Sequence, residues 1–122
     1  MRPAGLAAPL AALLVVTATA SAQERAPAQR QALVDLARIL GESHAIRRAC
    51  EGLQDQYWRA RMQQLLTVEA ADQGLKTRIS LAFNAGFGSG KALYASCTDA
   101  ARAEARRIAR TGQGLSETLA RP

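Results

Sequence analysis

The chain has 122 residues, 48% of them hydrophobic and only 4% aromatic, with a formal net charge of +6. The single histidine has no second histidine to ligate beside it and the two cysteines are expected to pair, so a metal site has no support, and the absence of C-x-x-C-H excludes covalent haem. Charge of this sign invites anionic partners, and its carriers are almost all arginines.

The N-terminus reads as a secretory signal. Arg2 gives a positive n-region, Gly5 to Val16 is an apolar run, and Ala20-Ser21-Ala22 fits the small-x-small cleavage pattern. Residues 1–22 are therefore expected to be a cleaved signal peptide, and removing Arg2 takes the charge from +6 to +5. The run is shorter than the about 20 apolar residues that span a bilayer, and no second one follows. Gln23 to Arg30 (QERAPAQR), polar and holding Pro27, reads as a flexible lead-in. Residues 31–122 then form a single domain, near the lower size at which a core suffices unaided.

Four helices are expected in that domain. From Gln31 to Ala49, Leu33, Leu36, Ala37, Leu40, His44 and Arg47 descend one side, with Ile39, Ser43, Ile46 and Cys50 beside them. Gly52 suits a helix stop and Asp55 an N-cap for a second helix, Gln56 to Ala70, with Trp58, Met62, Leu65, Leu66 and Glu69 in phase. Asp72 can cap the third. Leu75 to Cys97 places Leu75, Ile79, Phe83, Phe87, Gly90, Tyr94 and Cys97 on one continuous face, which marks it as the central helix against which the others pack. Thr98 can cap the fourth, with Ala101, Ala105, Ile108, Leu115 and Leu119 inward; Gly112 and Gly114 are expected to fray or bend its C-terminal half.

No stretch alternates with period two for the length of a strand, so the fold class is all-α, an up-down four-helix bundle. In that topology helices one and three run parallel, which brings Cys50 and Cys97 to the same end. The two are 47 positions apart, and closing a loop of that length contributes about 4 kcal/mol in the chain-entropy picture. An export signal and an even cysteine count point together to an oxidising compartment, the periplasm.

Ala82, Gly86 and Gly90 lie four apart, a smooth groove for a neighbouring backbone that offsets the about 1 kcal/mol each helical glycine costs. GFGSGK is not a phosphate loop: Ala85 stands at the first glycine position, Ala92 at the hydroxyl position, and no strand precedes it. Neither nucleotide nor any cofactor is expected.

His44, next to Leu40 on an apolar stripe, reads as a hydrogen-bonded core or boundary histidine that can titrate near neutrality. Arg102, Arg106, Arg107 and Arg110 form a basic strip along helix four, either a solvated face or a contact for an acidic envelope protein or anionic membrane surface. Nucleic acid is disfavoured by the compartment. Of Tyr57 and Trp58, one is expected in the core and the other in a small exposed aromatic patch. His44, Glu69, Asn84 and Tyr94 would need to converge on one cavity for a hydrolase.

LARILGESHAIRRAC (36–50), WRARMQQLLTVEA (58–70), RISLAFNAGF (78–87) and YASCTDAARAEA (94–105) together resemble a family of short exported alphaproteobacterial proteins known as a domain of unknown function. Asp72-Gln73-Gly74 lacks the proline that family members often have at that turn. The resemblance implies an exported single-domain protein and brings no catalytic residues with it. The reading is a non-enzymatic periplasmic module acting through protein or envelope contacts. A small stress chaperone is its first rival and an envelope-polymer hydrolase its second.

Overall fold

A computed structural model of the chain describes Gly5 and residues 25–121. Apart from Gly5, the expected signal peptide and the first two residues of the lead-in lie outside the described residues. Four helices follow in order, α1 (Pro27–Glu51), α2 (Tyr57–Glu69), α3 (Gln73–Leu93) and α4 (Asp99–Ala120), and no strand occurs among the described residues.

The first helix begins earlier than its apolar period. Pro27 sits at the first helical position, where its fixed φ suits the helix and its missing N–H costs nothing. The second half of the expected lead-in, Pro27 to Arg30, is therefore helix. Arg25 just before it is a clasp: its Nε and Nη2 donate to the two carboxylate oxygens of Glu69 at 2.9 and 3.0 Å, and Nη1 donates to the Leu119 carbonyl at 2.8 Å. One guanidinium thus ties the end of α2 to the end of α4. The pair is largely buried, so its geometry offsets a desolvation cost rather than adding a surface contact.

Gly52, at φ 116°, ends α1 as expected. The second helix starts one residue later than a cap at Asp55 requires. Gln56 is the N-cap residue, yet the Asp55 carboxylate still accepts the Tyr57 N–H at 3.1 Å and holds Arg47 Nε at 2.9 and 3.0 Å. Asp72 and Thr98 cap α3 and α4, accepting from Leu75 N at 2.8 Å and Ala101 N at 3.0 Å. The Leu75 N–H, with Arg30 second, holds the Asp72 carboxyl below its ordinary range.

Two expectations about α3 divide. The helix does run unbroken through Gly86, Gly88 and Gly90. It stops at Leu93, however, and Tyr94 is its C-cap, so Cys97 lies in the link to α4 rather than on a helical face. The Cys50–Cys97 disulfide nevertheless forms, with the two Cα atoms 4.7 Å apart. α4 is also unbroken at Gly112 and Gly114, contrary to the expected fraying. Gly112 is buried, and a Cβ there would stand 3.1 Å from Ile39 Cγ2; the glycine lets α4 lie close to α1.

The hub is α1, not α3. α1 packs against each of the other three helices, while those three meet one another at most weakly. Ser43, His44, Ala45 and Ile46 are consecutive and all buried, so α1 is covered on every side at that level. α3 buries one face only. The α1–α3 contact is backbone to backbone: a Cβ at Gly41 would lie 2.0 Å from the Phe83 carbonyl oxygen, and one at Gly86 would lie 2.1 Å from that of Arg38. The groove expected on α3 exists, and α1 fills it with its own glycine opposite.

Candidate functional site

Pairings along α1 fix the directions. Arg78 reaches Gln31, Gly86 meets Arg38 and Cys97 meets Cys50, so α3 runs parallel to α1. Gln29 reaches Arg121 and Leu36 meets Gly112, so α4 runs antiparallel; Arg25 with Glu69 and Arg47 with Asp55 say the same of α2. α2 and α4 thus lie on α1 without filling the space between them. The result is a cleft floored by α1.

The cleft has two lobes that meet at Ser43 and Trp58. The lobe at the disulfide end, about 340 Å³, is lined by Ile46, Cys50 and Ala105 and edged by Arg47, Arg102, Arg106 and Glu51. The far lobe, about 360 Å³, is walled by Leu36, Ile39, Leu40 and Leu65, with Arg61 its one charged residue. The gap has a local cause. α4 turns Ala105, Ala109, Gly112 and Ser116 toward α2, one stripe of small residues at helical spacing, and none of them reaches across.

Aromatic and cationic groups brace the α2 wall. Arg47 and Arg61 both stand over the Tyr57 ring, 4.8 and 5.2 Å from its centroid, and Tyr57 meets Trp58 edge to face at 4.9 Å. Trp58 is half-buried, packed against the core rather than part of it as expected, and Tyr57 is 44% exposed.

The basic strip of α4 is not one surface. Successive helical residues turn by about 100°, so Arg102 and Arg107, five apart, point to different flanks. Arg102 and Arg106 edge the cleft. Arg107 chelates Glu104 with two nitrogens on the other flank, which raises the arginine's pKa and lowers the glutamate's. Arg110 is exposed outside the cleft lining.

The four polar residues singled out for a hydrolase are not brought to one place. Asn84 edges a shallow cavity of about 210 Å³ with Met62, Ser80 and Phe83, and Tyr94 one of about 130 Å³ with Leu53, Arg48 and Lys91. Glu69 is held by Arg25 at the far end from the disulfide. His44 is 1% exposed and stacks obliquely on Phe83 and Phe87 at 5.8 and 5.2 Å. Its Nδ1, like Arg48 Nε, has no hydrogen-bond partner among the described residues, so the expected hydrogen bond is not made through that nitrogen. Among the described residues no group of three His, Cys, Asp or Glu side chains could hold a metal ion, and no helix is long and apolar enough to cross a membrane.

Burial, and then the Arg48 and Arg59 guanidinium groups, holds the His44 pKa below its ordinary 6.5, with Asp55 opposing. Below about pH 6.5 the unfolded chain takes up a proton that folded His44 resists. Stability contributed by neutral His44 is therefore expected to fall as pH drops through that value and to level off below the folded pKa. Unfolding free energies between pH 7.5 and 5 should fall more steeply for the wild type than for His44→Met. Parallel curves would show that His44 titrates alike in both states.

A disulfide-closed, all-helical domain with an open, arginine-edged apolar cleft is the class that fold and site define. The chain belongs to the family described as "Protein of unknown function (DUF2385)", which it matches over residues 28–121, the whole four-helix unit. No curated protein and no solved structure matches it.

Proposed function

We propose that this protein is an exported, periplasmic helical module that works by binding rather than by catalysis, through the cleft between α2 and α4. The observation that carries the reading is the cleft itself: a well-packed small domain leaves an apolar trough open along its hub helix and lines its edge with arginines. Protein interiors are ordinarily filled to crystal-like density, and an open apolar trough with convergent charged groups at its edge is where a small domain is expected to bind. The signal-like segment 1–22, the Cys50–Cys97 bond and the resemblance to short exported alphaproteobacterial proteins support the compartment.

The test places a photo-crosslinking residue at Gln113, on the cleft wall, or at Thr77, on the exposed side of α3, in cells exporting the protein. Adducts are expected from Gln113 and not from Thr77, and Arg102→Glu with Arg106→Glu should lower their yield. Equal yields from the two positions, or none from Gln113, would remove the cleft from the account.

A further inference from the structure

Resting on that reading of the cleft, we infer that its occupant is a single-chain acyl carboxylate, tail in the far lobe and carboxylate among the arginines at the disulfide end. The cleft is graded along its length. The far lobe offers Leu36, Ile39, Leu40 and Leu65 with Arg61 alone, whereas the near lobe is edged by three arginines against one glutamate, Glu51.

Those arginines are not equally available. Asp55 offsets the charge of Arg47 at 2.9 Å, and Asp99 lies 3.8 Å from Arg102 with both side chains in solvent. Arg106 has no ion pair among the described residues and is the principal anchor. A guanidinium presents paired N–H donors that match a carboxylate edge to edge, and the apolar surface around it makes that contact stronger than in open water.

Size decides between a lipid-like chain and a partner helix. Each lobe falls in the about 300–1,000 Å³ range of small-ligand pockets. A docked helix about 10 Å across displaces about 420 Å³ in each turn, more than either lobe holds, so it would rest only one face on the cleft unless α2 and α4 part. An extended acyl chain needs no such opening. From Leu36 to Cys50 the floor runs about 21 Å at 1.5 Å per residue, a length suited to one chain lying along α1.

Trp58, the single tryptophan of the chain, stands where the lobes meet and reports occupancy. The purified oxidised protein is titrated with laurate below its micellar concentration while Trp58 fluorescence is followed. A saturable blue shift is expected. Dodecyl maltoside, with the same tail and no charge, should bind about tenfold more weakly, and Arg106→Glu should weaken laurate by a similar factor. Ala109→Phe, at an exposed position on the far-lobe wall, should abolish the response by filling the trough. Thermal unfolding checks that both variants fold, with Arg102→Glu and Ala109→Leu as substitutes.

No response to laurate, equal binding of the uncharged detergent, or a response that Ala109→Phe leaves intact would overturn the inference. Preference for anionic phospholipid vesicles over laurate would overturn it in favour of a membrane surface. Silence with laurate while the Gln113 cross-links persist removes the ligand class and leaves the cleft standing; loss of both removes the cleft.

Discussion

Gly86→Ala is expected to destabilise the protein by about 3 kcal/mol, while Gly88→Ala, two residues along the same helix, is expected to stabilise it by about 0.5–1 kcal/mol. In a bare helix both changes help, because alanine loses less backbone freedom than glycine. A Cβ at Gly88 meets nothing within 4 Å, so that gain is kept. At Gly86 the added carbon falls 2.1 Å from the Arg38 carbonyl oxygen and 3.0 Å from its carbonyl carbon. These are backbone atoms of the hub helix, so no side-chain rotation relieves the clash and α1 and α3 must separate. Separation then loosens Phe83 and His44, which pack across the same seam. Denaturant unfolding of the two variants checks the sign as well as the size. Equal stability would mean that the helices do not approach so closely.

Replacing both cysteines, Cys50→Ala with Cys97→Ala, is expected to lower stability by about 4 kcal/mol, against a total of about 5–15 kcal/mol for a domain of this kind. The bond closes a loop of 47 residues that contains all of α2 and α3. It also fixes the link from which Thr98 caps α4. The Arg25–Glu69–Leu119 clasp secures the opposite end of α2 and α4, so the reduced protein should loosen first at the disulfide end. Guanidinium denaturation of the oxidised protein and the double variant measures the loss. A difference below about 1 kcal/mol would show that the bond does not restrict the unfolded chain as the loop length implies.

Much of the architecture was legible because it rests on local chemistry. Hydrophobic period, the Asp72 and Thr98 caps and the Gly52 stop act within a few residues and mark four helices. Turns short enough to force antiparallel neighbours put Cys50 and Cys97 at one end, as the structure has them. The small residues of α3 likewise announced a close neighbour, though not which one.

What misled was size. Two phenylalanines on α3 drew attention to it as the hub, whereas α1 is the hub because its small and mixed residues, Ala37, Gly41, Ser43 and Ala45, let three helices approach at once. Gly112 looked like a weakness in α4 and is instead a point of contact with Ile39. The spacing of Ala105, Ala109, Gly112 and Ser116 opposite the only tryptophan could have signalled a trough, but only to a reader who knew that α2 and α4 face each other.

By itself, then, the sequence determined the number of helices, their caps, their alternation and the cysteine pairing, since each follows from contacts between near neighbours or from chain direction. The tertiary structure decided which helix lies at the centre, which arginines share a surface and where packing leaves a gap. Those depend on how closely particular backbones approach, a property of pairs of helices that no single helix carries.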